Sequence, residues 1–119
     1  MDKQRQDEID KLYKKEQALW EKDGDLRYME RKLEEQQDNF EVLYRKGENS
    51  LWEAMLDYPS TSLFEQLHQE NIHYAGQIID GFEANLADIR RKKRANDEAI
   101  DDIYHKRQRL LMEDEDNGN

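Results

Sequence analysis

Between Leu12 and Ala54 an apolar or small residue returns at every seventh position: Leu12, Leu19, Leu26, Leu33, Phe40, Gly47 and Ala54. A period of seven is two helical turns, so one stripe of a helix is apolar along its whole length. Ile9, Met29, Leu43, Tyr44 and Leu51 flank that stripe and widen it into a packing face. The pattern predicts a first helix over about 3–56.

It stops at Asp57-Tyr58-Pro59-Ser60-Thr61-Ser62, which holds the only proline of the chain. Proline disfavours helix at the residue before it, and the hydroxyl cluster favours turns and caps. The expected turn therefore covers 57–62. Ser62 and Glu65 have the spacing of a capping box that opens a second helix.

Over about 63–113 two further stripes repeat at seven: Ala75, Phe82, Ile89, Asn96, Ile103 and Leu110, and Ile72, Ile79, Leu86, Lys93 and Ile100. Residues 114–119 are expected to form a frayed acidic tail. The fold class that follows is all-α: a single domain over 1–119, built as a long antiparallel two-helix hairpin with coiled-coil-like packing.

If the chain reverses near Pro59, residues facing one another have numbers that sum to about 119. That rule sets Ile9 against Leu110, Leu19 against Ile100, Leu33 against Leu86, Phe40 against Ile79 and Tyr44 against Ala75. The pattern is weakest where Leu26 meets Lys93. Nearby, Gly24 and Ala95 either permit close approach or Asp23-Gly24-Asp25 kinks the first helix, and a second break is open at Lys46-Gly47-Glu48-Asn49-Ser50.

Composition limits how much such a hairpin can bury. Charged residues make up 40% of the chain and apolar ones 35%, with a mean hydropathy of -1.29. Disorder is the first alternative for so polar a chain, but few glycines, one proline and an abundance of Glu, Lys, Arg, Gln and Leu favour long helices. The thin apolar face leaves a lone hairpin marginal. Packing into a bundle with a partner is the expected remedy.

Several large side chains sit one position after a stripe residue: Tyr13, Trp20, Trp52, Tyr104 and Leu111. That offset turns about 100° round a helix, and in an antiparallel pair it points the same way from both members. The five are expected to form a ledge on one side, thickened near the turn by Met55, Leu56, Tyr58, Leu63 and Phe64. Aromatic residues are favoured anchors of protein interfaces, so Tyr13, Trp20, Trp52, Met55, Tyr58, Phe64, Tyr104 and Leu111 are the candidate partner-binding residues. The competing reading is that Trp20 and Trp52 finish the hairpin's own core.

A net charge of -10 argues against nucleic acid as a partner. The basic run Arg90-Arg91-Lys92-Lys93-Arg94 lacks interleaved aromatics and is bracketed by Asp88 and Asp97-Glu98, which suits a solvated face or an acidic protein. No apolar run reaches membrane-spanning length and no secretory signal opens the chain, so a cytoplasmic protein without membrane insertion is expected. The chain has no cysteine.

Little else suggests chemistry. Glu70 and His73 have the Glu-x-x-His spacing of di-iron bundles, yet the register sets Lys46 opposite His73. His68, His73 and His105 cannot form a triad, and no phosphate-binding glycine loop is present. Neither an enzyme nor a cofactor or metal site is expected. Asn96 on the apolar stripe is placed to fix register or partner choice.

Hairpin length, a turn near the middle, acidic character, no signal peptide and a Tyr-rich second half together resemble a group of small helical proteins. These are the hairpin partners encoded beside LXG toxins of Gram-positive type VII secretion, similar in shape to the WXG (Esx-like) proteins. The resemblance spans nearly the whole chain. It implies a cytoplasmic chaperone-like targeting factor that binds the helical N-terminal LXG domain of a toxin, often with a second small helical protein, and it allows co-export with that toxin.

Where WXG proteins carry Trp-x-Gly at the turn, this chain has Trp52-Glu53-Ala54. Its aromatic-x-x-x-acid spacing, Tyr44-Arg45-Lys46-Gly47-Glu48, falls in the first helix. The resemblance then assigns the export signal to another member of the complex. The alternative function is a self-associating coiled-coil scaffold, which would be a homodimer when alone.

Overall fold

The computed structural model describes residues 2–57 and 61–117, the side chains of 61 and 114–117 excepted. It is all-α, a hairpin of two helices: α1 (Lys3–Asp57) and α2 (Thr61–Asn117). The expected turn residues Tyr58, Pro59 and Ser60 lie outside the described residues.

Both helices overrun their expected ends. Asp57 closes α1, and α2 has already begun at Thr61, one residue ahead of the expected cap Ser62. At the other end α2 continues to Asn117, so most of the tail expected to fray is helical. Glu and Asp are tolerated in a helix once it is propagating, because each added residue brings one hydrogen bond without a new nucleation cost.

Neither glycine interrupts α1. The helix runs unbroken through Gly24 and Gly47, and a β-carbon built on either would meet nothing within 4 Å. Close approach at Gly24 is thereby excluded as well. The intrinsic cost of glycine in a helix, about 1 kcal/mol, is too small to break one anchored on both sides of it.

The hairpin packs as two compact units, one formed by Met1–Met29 with Ile89–Asn119 and the other by Glu30–Asp88. In the first unit Arg5 pairs with Glu113, Glu16 with Arg107, and Leu19 with Asn96. In the second, Phe40 meets Phe82 with ring centroids 6.3 Å apart, and Glu48 meets His68. The numbers of each facing pair add to within four of 119, as the antiparallel register requires. Phe40 makes its ring contact with Phe82, one turn from the Ile79 set opposite it by arithmetic.

The buried apolar residues are all members of the expected stripes or their flank: Ile9, Leu26, Ile89 and Ile100 in the first unit, Ala75 and Leu86 in the second. The core is thin. No described side chain falls below 2% exposure.

The second seam of α1 departs from expectation. Ile9, Glu16, Asp23, Glu30, Gln37 and Tyr44, again at intervals of seven, are all buried or half-buried, so four consecutive layers of the seam are polar. Beyond Tyr44 the half-buried residues are Glu48, Leu51, Ala54 and Met55, and Gly47 is exposed. A straight α-helix drifts about 20° per heptad against a strict period of seven, which moves the inward column by one position after several heptads.

Candidate protein-binding surface

In the first unit the residues one position after the seam carry the aromatics. Tyr13 and Tyr104 converge from the two helices on one cation: the Arg107 guanidinium carbon lies 4.2 Å from the Tyr13 ring centroid and 5.6 Å from that of Tyr104. Arg107 also reaches Glu16 at 2.8 Å, and both side chains are largely buried. The tyrosines thus shield an ion pair inside the hairpin, where a lower effective dielectric strengthens it. They remain nearly half exposed.

Trp20, two turns beyond Tyr13 along α1, is 53% exposed, and Leu111 is half-buried. A largely open indole on a helix face is the feature of this unit best suited to anchor a second protein.

The opposite flank of the same unit is basic. Lys11, Lys15, Lys106 and Arg109 wall an open groove of about 430 Å³ over Leu12 and Leu110, with Glu8 and Glu113 also lining it. Each cation precedes a seam residue by one position, so its aliphatic stem covers apolar surface while the charge stays in water.

In the second unit Trp52 is 54% exposed and packs edge-on against His68, centroids 6.3 Å apart. Nδ1 of His68 lies 2.6 Å from Oε2 of Glu48, whose other carboxylate oxygen is buried without a hydrogen-bond partner among the described residues. Leu51, Met55 and Phe64 join Trp52 and His68 around a cleft of about 50 Å³, room for one small side chain. Met55 and Phe64 are therefore half spent on packing. Tyr58 lies outside the described residues.

Tyr44 stacks on Phe40, with ring centroids 6.4 Å apart. Burial, and then the negative charge of Glu48 one turn away, raise its hydroxyl pKa above the ordinary phenol value.

One exposed set lies where no ledge is expected, one position before the seam. Leu43 on α1 and Leu67, Tyr74 and Ile78 on α2 precede Tyr44, His68, Ala75 and Ile79, and all four are exposed. The signal was in the sequence as a 3-4-3-4-3 spacing, Phe64, Leu67, Asn71, Tyr74, Ile78 and Gly81, which the stronger inward stripes overshadow.

The candidate metal motif does not assemble. His73 approaches Gln77 at 3.3 Å and meets Tyr74 edge-on, and among the described residues no group of His, Asp and Glu side chains could hold a metal ion. In the basic run Arg90, Arg91, Lys92 and Arg94 are exposed and Lys93 is half-buried. No described helix is long and apolar enough to cross a membrane. Comparison with known proteins finds no matching family model, no matching curated protein and no matching solved structure.

Proposed function

We propose that this chain is a non-enzymatic helical adaptor that binds a helical partner protein, and that the partner is the N-terminal LXG domain of a type VII secreted toxin, which it targets for export. The observation that carries the binding reading is the aromatic side of the first unit, where Trp20, Tyr13 and Tyr104 are all exposed over a core in which no described side chain is completely buried. A protein whose core is this thin gains stability from any partner that binds only its folded state. The identity of the partner rests on the resemblance in length, turn position and charge.

The test is co-expression with the LXG protein of its own locus. Co-purification, and loss of toxin export when this chain is deleted, are the expected results; separate elution together with unchanged export would sink the reading. Co-export of the adaptor itself is read from the same culture supernatant.

A second reading, a self-associating scaffold, is favoured by the exposed stripe of α2 between Phe64 and Gly81. Scaffold and adaptor separate by light scattering. A scaffold is a stable homo-oligomer by itself, and an adaptor is a monomer or loose dimer that is stabilised when its partner is added.

A further inference from the structure

We propose that α2 pairs antiparallel with α2 of a second copy of this chain along Phe64, Leu67, Asn71, Tyr74, Ile78 and Gly81. These residues are spaced three and four apart, the repeat that places side chains along one seam facing another helix. Leu67, Asn71, Tyr74, Ile78 and Gly81 are exposed and lie off the seam facing α1, and Phe64, half-buried beside Leu51, Trp52 and Met55, bridges the two. Tyr74 is 60% exposed and Ile78 45%, although each is large and at least partly apolar.

Absence of charge is what distinguishes this stripe from most of the exposed surface. In a chain with 40% charged residues, none of the six is charged, and along its outer rim Leu63, Glu70, Gln77 and Ala84 contribute one charge. Depletion of charge at the centre of a patch, with aromatic and aliphatic side chains left open, marks an interface core.

The sequence of the stripe is complementary to its own reverse. In an antiparallel pair centred between Asn71 and Tyr74, Phe64 lies opposite Gly81, Leu67 opposite Ile78 and Asn71 opposite Tyr74. Each layer is matched in size or polarity. A β-carbon on Gly81 would meet nothing within 4 Å, so its position leaves room for the ring of the other copy. On the rim Glu70 faces Gln77, so no like charges meet there. Such an isologous contact closes at two copies.

Leu43 lies on the same flank of the hairpin and extends the contact onto α1. The footprint is then about 27 Å by about 20 Å on each copy, on the order of 1,000 Å² in total, the lower end for a specific interface. The dimer is therefore concentration-dependent. Between Leu63 and Asp88, α2 carries Glu65, Glu70, Asp80, Glu83 and Asp88 and no Lys or Arg, so two copies repel at long range and salt tightens the pair. A foreign helix with basic flanks would loosen with salt instead.

Sedimentation equilibrium of the full chain alone tests this without any partner, so its outcome is independent of the adaptor reading. A dimer that strengthens with added salt, and weakens at least tenfold in Ile78→Glu and in Leu67→Glu at unchanged helicity, is expected. A monomer at roughly 100 µM, or a dimer indifferent to both substitutions, overturns the proposal. If the variants lose helicity, cysteines decide in this cysteine-free chain. Mixed Asn71→Cys and Tyr74→Cys proteins should cross-link to each other faster than either does to itself, and faster self-linking of each overturns the antiparallel register. Retention of a foreign partner by a strictly monomeric chain, lost in Ile78→Glu, assigns the stripe to that partner and overturns self-pairing.

Discussion

The side-chain amide of Asn96 donates a hydrogen bond to the main-chain carbonyl of Leu19, 2.8 Å away on the opposing helix. Asn96 is 3% exposed, and its own Oδ1 finds no partner among the described residues. One good bond is set against one desolvated acceptor. The Leu19 carbonyl, inside α1, also serves the helix ladder, so it loses little when Asn96 is removed.

Asn96→Leu should therefore be more stable, by about 1 to 2 kcal/mol, since it removes the orphaned oxygen and adds apolar burial. Thermal unfolding followed by circular dichroism reads this as a higher Tm. A lower Tm would show that the bond to Leu19 is worth more than its geometry suggests.

Glu16 and Arg107 form a largely shielded pair, and removing one partner strands the other. Arg107→Leu should cost about 2 to 4 kcal/mol in urea unfolding, and Glu16→Leu combined with Arg107→Leu should recover most of that loss. A double variant no better than the single one would shift the stabilisation from the ion pair to the stacking of Arg107 on Tyr13.

Gly24 and Gly47 sit inside a continuous helix with free space at the β position. Gly24→Ala and Gly47→Ala should each stabilise by about 0.5 to 1 kcal/mol, because alanine loses less backbone freedom on folding. Destabilisation by either would mean that the helix needs its glycine there.

Tyr44 tests a pH dependence whose sign is determined. Its hydroxyl pKa is raised in the folded chain, so folding favours the neutral phenol. That contribution is complete below the unfolded pKa of about 10 and is lost as pH rises through the folded value. Comparing the chain with Tyr44→Phe cancels the lysines common to both. The stability advantage of Tyr44→Phe should grow from about pH 9 to about pH 11. A constant difference would remove burial and Glu48 as influences on Tyr44.

Trp20→Ala and Trp52→Ala should each weaken partner binding by about tenfold or more while far-ultraviolet circular dichroism stays unchanged. Trp52 also covers His68, so its removal carries some local loosening. Equal loss of binding and helicity would return both residues to the hairpin's own packing.

Much of the candidate surface was legible before the fold was known, and the illegible part has a common cause. Tyr13, Trp20, Trp52 and Tyr104 each sit one position past a stripe or flanking residue, and all four are exposed. Leu67, Tyr74 and Ile78 belong to an equally regular spacing, yet helical period alone does not distinguish a second outward seam from a broad inward face. Met55 and Phe64 have the sequence signature of a surface, because nothing local to them shows that they pack with Trp52 and His68.

Periodicity and one proline were enough to determine two long helices, the site of reversal and a register near 119, because these depend on 3.6-residue geometry and chain connectivity. Tertiary structure alone decided that Glu16 meets Arg107 between two tyrosines, that Asn96 bonds to Leu19, that Asp23 is buried at 4% exposure, and that Glu48 replaces Gly47 in the seam. Those outcomes depend on the axial stagger of the two helices and on the slow drift of a straight helix against a seven-residue repeat. A stagger smaller than one turn changes which polar side chain finds a partner without disturbing a single apolar stripe.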